Sequence, residues 1–82
     1  MTVHRYGSKI AGVVAGRVGY YPNQEWIAEV LTSDGRQLCA TYEKRSQDAI
    51  DGAIRKCGLR RGDFEEVLRD STNIHLVKKT SR

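Results

Sequence analysis

WIAEVLTSDGRQLCATYEKRSQDAIDGAIRKC, residues 26–57, reads without interruption as strand, turn, strand and helix. Trp26, Ala28 and Val30 alternate with Ile27, Glu29 and Leu31, the period of a strand with two unlike faces. Asp34-Gly35 follows, and this dipeptide between two alternating runs is a strong hairpin signal because both residues accept the backbone a tight turn requires. Beyond it, residues 36–43 set Leu38, Ala40 and Tyr42 against a more polar face of Gln37, Cys39, Thr41 and Glu43. The alternation predicts an antiparallel sheet covered on one side.

The same stretch then changes period. Ala49, Ile50, Ala53, Ile54 and Cys57 form one stripe at helical spacing, and burying the two isoleucines contributes roughly 1.5–3 kcal/mol each. Ser46 is the expected N-cap, Asp48 and Asp51 suit the positive end of the helix dipole, and Arg55 and Lys56 suit the negative end. Gly58 stops the helix, and Leu59 is placed to fold back on Ile54 in a Schellman-type end.

Working outward, residues 9–20 predict a preceding strand, with Ile10, Val14, Val18 and Tyr20 on one face and Ala11, Val13, Ala15 and Arg17 on the other. Tyr21-Pro22-Asn23-Gln24 supplies the turn into the next strand. On the C-terminal side, Asp63 and Glu66 bracket a second, short helix over residues 64–69, with Phe64, Val67 and Leu68 as its apolar edge. Ser71-Thr72-Asn73 reads as a turn and Ile74 to Val77 as a last strand at an edge of the sheet, leaving 78–82 as a frayed basic tail. The expected fold is α+β: a three-stranded antiparallel meander covered on one face by a helix, then a short helix and a fourth edge strand. One domain accounts for residues 1–82, which are too few for two.

Chemistry is sparse in this chain. His4 and His75 lack ligand-spaced partners, and Ser8, Ser33, Ser46 and Cys39 have no motif that sets a base beside them, so a non-enzymatic protein without metal or cofactor is expected. Cys39 and Cys57 lack zinc or redox spacing and read as small apolar residues. The longest apolar run is broken by Gly12, Gly16 and Arg17, and no secretory signal is evident, so a cytoplasmic protein with no membrane partner is expected. Arg61-Gly62-Asp63 spells an adhesion tripeptide, but Gly62 and Asp63 are accounted for as turn and helix cap. Trp26 and Tyr42 read as packing residues rather than base-stacking platforms.

The hairpin and helix, with Trp26-Ile27-Ala28-Glu29-Val30, Asp34-Gly35-Arg36, Ala49 and Ala53, resemble the AP2-type and phage-integrase arm-binding domains over about residues 13–57. In those families three strands pack on one helix and the exposed sheet face enters the DNA major groove. The resemblance therefore implies a DNA-reading sheet. This chain departs from the pattern at Glu25, before the tryptophan, and at Gln37, Cys39, Thr41 and Glu43, where such domains carry arginines. The double-stranded-RNA-binding fold is also similar in having three strands and a following helix, with Lys44-Arg45-Ser46 in the place of its basic helix start.

Charge supplies the remaining lead. The net charge is +4, and four adjacent basic pairs stand out: Lys44-Arg45, Arg55-Lys56, Arg60-Arg61 and Lys78-Lys79. Three of these bracket the ends of the predicted helix. Together with Arg17 and Arg36 on the sheet they form the expected surface for nucleic acid or for an acidic or nucleoprotein partner. In size, single-domain layout and lack of catalytic motifs the chain is also similar to small phage anti-CRISPR proteins, a class that implies inhibition of a host nucleoprotein machine by protein–protein contact. Either a monomer or a homodimer paired through the edge strand is compatible with the pattern.

Overall fold

The computed structural model describes residues 10–20 and 22–79. His4, Arg5, Tyr6, Ser8, Lys9 and Tyr21, together with the end of the basic tail at 80–82, lie outside the described residues. Among the described residues five strands and one α-helix follow one another as β1 (Ile10–Val18), β2 (Glu25–Thr32), β3 (Gln37–Glu43), α1 (Ser46–Lys56), a 3-10 turn (Arg61–Asp63), β4 (Phe64–Arg69) and β5 (Asn73–Lys78). The strands form one antiparallel sheet in the order β3-β2-β1-β5-β4. The expected α+β class and the helix-covered three-stranded meander are both present, inside a wider sheet.

The hairpin forms where Asp34-Gly35 places it. Gly35 adopts φ +88°, its N–H reaches the Thr32 carbonyl at 3.0 Å, and Thr32 donates its own N–H to Arg36 O at 2.9 Å. The helix also ends as expected. Gly58 takes φ +73°, Leu59 N–H returns to Ile54 O at 3.1 Å and Gly58 N–H to Arg55 O at 2.9 Å, the paired bonds of a Schellman end. Its start differs: Arg45 occupies the cap position in extended backbone with no side-chain cap bond, so Ser46 is the first helical residue rather than the N-cap.

The core lies between α1 and one face of the sheet. Val13, Ala15, Ala28, Val30, Ile74 and Leu76 point to it from three adjacent strands, and Ala49, Ile50, Ala53, Ile54 and Cys57 meet them from the helix. Ile10 belongs to this set too. A register shift between Ile10 and Gly12 turns it inward, away from the Val14 face to which simple alternation assigns it.

In β3 the expected facing is inverted. Cys39 and Thr41, the polar side of the alternation, lie under the helix: Cys39 is bonded to Cys57, and the Thr41 hydroxyl donates to Ala49 O at 2.5 Å. Tyr42 faces the other way and is 61% exposed, so it is not a packing residue, whereas Trp26 is half-buried against the core. The polarity of β3 misleads because its inward polar groups are consumed locally, one by a disulfide and one by a helix carbonyl. Leu38 still packs on the core, because a second register shift opposite Val30 and Leu31 bulges the strand there.

The two cysteines are thus not independent small apolar residues. Their Cα atoms are 6.3 Å apart and the bond joins the end of α1 to the edge strand. Cytosolic thiols are held reduced, so this pairing pulls against the cytoplasmic placement expected from the sequence. Among the described residues no helix is long and apolar enough to cross a membrane.

The second expected helix is absent. Residues 64–69 form β4, which pairs with β5 through a turn in which Asp70 N–H donates to Asn73 O at 2.9 Å. Two helical turns have little stability of their own, whereas the extended form gains a full ladder with β5 and buries Phe64. The Asp70 carboxylate accepts the Thr72 and Asn73 N–H groups at 2.9 and 2.8 Å, and these bonds hold its pKa below the ordinary aspartate value. Glu66 pairs with Arg69 rather than capping a helix; that bond lowers the Glu66 pKa and raises that of Arg69. As a result Ile74 to Val77 is an interior strand, and the sheet's edges are β3 and β4. Lys78 ends β5, and Lys79 donates its N–H to Asp63 O at 2.8 Å, so neither belongs to a frayed tail.

Close approach of β5 to β1 depends on Gly12, where an added Cβ would overlap the Leu76 carbonyl oxygen. Gly12→Val should therefore separate the strands and cost about 1–3 kcal/mol, read as a lower denaturant midpoint with the disulfide intact.

Candidate nucleic-acid interface

The residues that follow the helix explain how separate basic pairs meet. The Schellman end reverses the chain at Gly58, Leu59 packs back on the core, and residues 61–63 make one 3-10 turn before β4 begins. The Asp63 carboxylate accepts the Arg60 N–H at 3.2 Å, and the Arg61 guanidinium donates to Phe64 O at 3.1 Å. Because Phe64 stands opposite Lys78, and Lys79 is bonded to Asp63, the end of β5 is carried alongside Arg60 and Arg61. Arg55 completes the group from the last turn of α1, while Cys57, tied to Cys39, holds that turn against the sheet.

Strand register sorts the ten expected cations by position. Arg36, Arg55, Lys56, Arg60, Arg61, Lys78 and Lys79 lie at the end of the sheet that carries the β2–β3 turn and the C-terminus of α1. Arg17, Lys44 and Arg45 lie at the other end, about 16 Å away along the helix. Lys44-Arg45 and Arg60-Arg61 thus stand at opposite ends of the helix.

Not all seven are equally available. Arg36 faces Asp34 at 3.5 Å in an exposed pair of little energetic weight, and Lys56 Nζ donates to Ala40 O at 3.0 Å, covering the edge of β3. Arg17, on the helix side of β1, donates to Ser71 O at 3.0 Å and so braces the β4–β5 turn. Arg55, Arg60 and Arg61 share a groove of about 320 Å³ with Gln47, Asp51, Ile54 and Leu59. Ile54 and Leu59 give it an apolar floor, and three guanidinium groups give it an anion-binding rim. A larger groove of about 520 Å³ between α1 and β3 includes Glu43, Asp48 and Asp51 beside Arg55 and Lys56, a mixed lining that disfavours phosphate.

The opposite sheet face, which the family resemblance assigns to the major groove, is different in character. Its strand positions carry Glu25, Glu29 and Glu65, and no lysine or arginine among the described residues. Among the described residues there is also no cluster of three or more His, Cys, Asp or Glu side chains suited to a metal ion. Sequence reading missed the meeting of residues 55–61 with 78–79 because it depends on the β4–β5 hairpin. The local signal for that hairpin is weak: Asp70-Ser71-Thr72 is turn-forming and residues 73–78 suit a strand, but Glu65, Glu66, Leu68 and Arg69 suit a helix. Comparison of the chain with protein-family models, with curated proteins and with solved structures found no match.

Proposed function

We propose that this chain is a small non-enzymatic module that holds the phosphate backbone of nucleic acid at its basic end. One observation carries the reading: the Schellman turn, the 3-10 turn and the β5 terminus bring Arg55, Arg60, Arg61, Lys78 and Lys79 to one end of the domain. Asp34 is paired with Arg36; Asp51, which lines the same groove, and Asp63, whose carboxylate accepts the Arg60 N–H, offset part of the charge, and the five cations outnumber them. Guanidinium groups suit this work because their planar donors match phosphate oxygens two at a time. A positive end on a chain of net charge +4 also steers a polyanion toward that orientation.

Contacts of this kind position a backbone and read no sequence. The module is thus expected to bind with little base preference. Adding a random-sequence DNA duplex to isotope-labelled protein should shift the backbone amides of residues 55–61 and 78–79 and leave residues 44–45 in place. Shifts confined to β2 and β3 would reject this site.

A further inference from the structure

The sheet face turned away from α1 is built as a trough. Along β1 its floor is Gly12, Val14 and Gly16, between a row of Ile27, Glu29 and Leu31 on β2 and a row of Asn73, His75 and Val77 on β5. Val14, Gly16, Ile27, Glu29, Asn73 and His75 enclose about 320 Å³ of it. Gly16 leaves the floor open: a Cβ there would meet nothing nearer than Asn73 Oδ1 at 3.8 Å. The two walls are two strand spacings apart, ~9.6 Å between their backbones, so a single ridge of helix side chains can seat between them.

No described element covers this face, although it continues outward into Tyr42, Leu68 and Val77, which are 61%, 42% and 42% exposed. Sheet faces with this much apolar surface are ordinarily closed by a second layer. Charge tells what that layer is. Among the described residues Glu25, Glu29 and Glu65 are its only Asp, Glu, Lys or Arg strand residues, in a chain whose net charge is +4. Glu29, half-buried in the β2 wall, is oriented by the Gln37 side-chain amide at 2.8 Å.

The geometry points to a partner protein that lays a basic amphipathic helix in this trough, its apolar stripe on Val14, Gly16 and Ile27 and a lysine or arginine at its margin paired with Glu29. A second copy of the same face would oppose carboxylate to carboxylate. The exposed side of α1 would not serve either, since it carries Gln47, Asp48, Arg55 and Lys56 and its apolar stripe is already buried on the sheet. The trough is on the face opposite α1, so the site is separate from the groove of Arg55, Arg60 and Arg61.

A phage-displayed library of amphipathic helices, about 14 residues or ~21 Å long so that they overrun both ends of the ~14 Å floor from Gly12 to Gly16, provides the probe. Selected helices should carry Lys or Arg beside an apolar stripe. Each should lose at least tenfold in affinity against both Glu29→Lys and Gly16→Val, and bind Arg60→Glu/Arg61→Glu as it binds the native chain. Gly16→Val fills the floor with a strand-favouring side chain, and its melting temperature should stay at or above the native value, which separates a blocked trough from a damaged fold. The inference is overturned by a library that yields no binders, by acidic or uncharged winners, or by binding that survives Gly16→Val. It is equally overturned if the native chain dimerises in sedimentation and Gly16→Val makes it monomeric, since the occupant is then a second copy.

Discussion

Reversing two charges at the basic end, Arg60→Glu/Arg61→Glu, is expected to reduce affinity for random-sequence DNA at least 100-fold at moderate salt. Each arginine lost removes a charge-assisted hydrogen bond worth about 1.5–3 kcal/mol, and two together give ~3–6 kcal/mol before the repulsion of the new carboxylates is added. The fold should survive, because Arg60 is exposed and Arg61 loses one hydrogen bond to the Phe64 carbonyl, a change of about 1 kcal/mol. Circular dichroism and thermal melting verify that. The informative control is the pair at the other end of the helix. Lys44→Glu/Arg45→Glu makes the same change in net charge, so it alters long-range attraction equally but removes no contact from the proposed site; a loss of less than about tenfold is expected. Equal losses from the two variants would mean that binding follows total charge and has no location.

Breaking the Cys39–Cys57 bond should produce the largest loss of stability. The bond closes a loop of sequence separation 18, and constraint of the unfolded chain over such a loop is worth about 3 kcal/mol. For a domain of this size each 1 kcal/mol moves the melting temperature by about 4–8 °C, so reduction or the Cys39→Ala/Cys57→Ala pair should lower it by roughly 12–24 °C. The loss should be felt first where the bond acts, at the junction of edge strand β3 with the end of α1. Hydrogen exchange of the Cys57, Gly58 and Leu59 amides, which close the helix, should accelerate more than that of β1. An unchanged melting temperature in strong reductant would show that the packing of Ile54 and Leu59 holds this junction unaided.

Local signals were legible where the chain's chemistry acts over a few residues. Asp34-Gly35 announces its hairpin, Ala49 to Cys57 their buried stripe, and Gly58-Leu59 the helix end, because each depends on backbone conformation or on a spacing of three to six residues. The misreadings have a different source. Residues 64–69 carry a capping pattern that favours a helix locally, and only the ladder offered by β5, itself anchored on β1, makes the extended form prevail. Cys39 and Thr41 look solvent-facing by polarity, and their partners, Cys57 and the Ala49 carbonyl, become evident only once the helix is laid across the strand.

The candidate site divides along the same line. All its cations were identifiable as basic pairs, but their grouping was not. Lys78-Lys79 joins Arg60-Arg61 through a long-range β-ladder, and Lys44-Arg45 leaves the group because eleven helical residues stand between it and the basic end. The sheet face shows the converse. The lack of lysine and arginine among its described strand residues follows from which alternate residues face outward, and that depends on register shifts beside Ile10, Val30 and Glu66 that simple alternation does not contain.

The salt dependence of binding to a random-sequence DNA duplex is the most direct test of the phosphate-holding end. With four of the cations meeting phosphates, a plot of log affinity against log salt concentration should fall with a slope of about −3.6. A slope near zero, or no binding at low salt, would contradict the account.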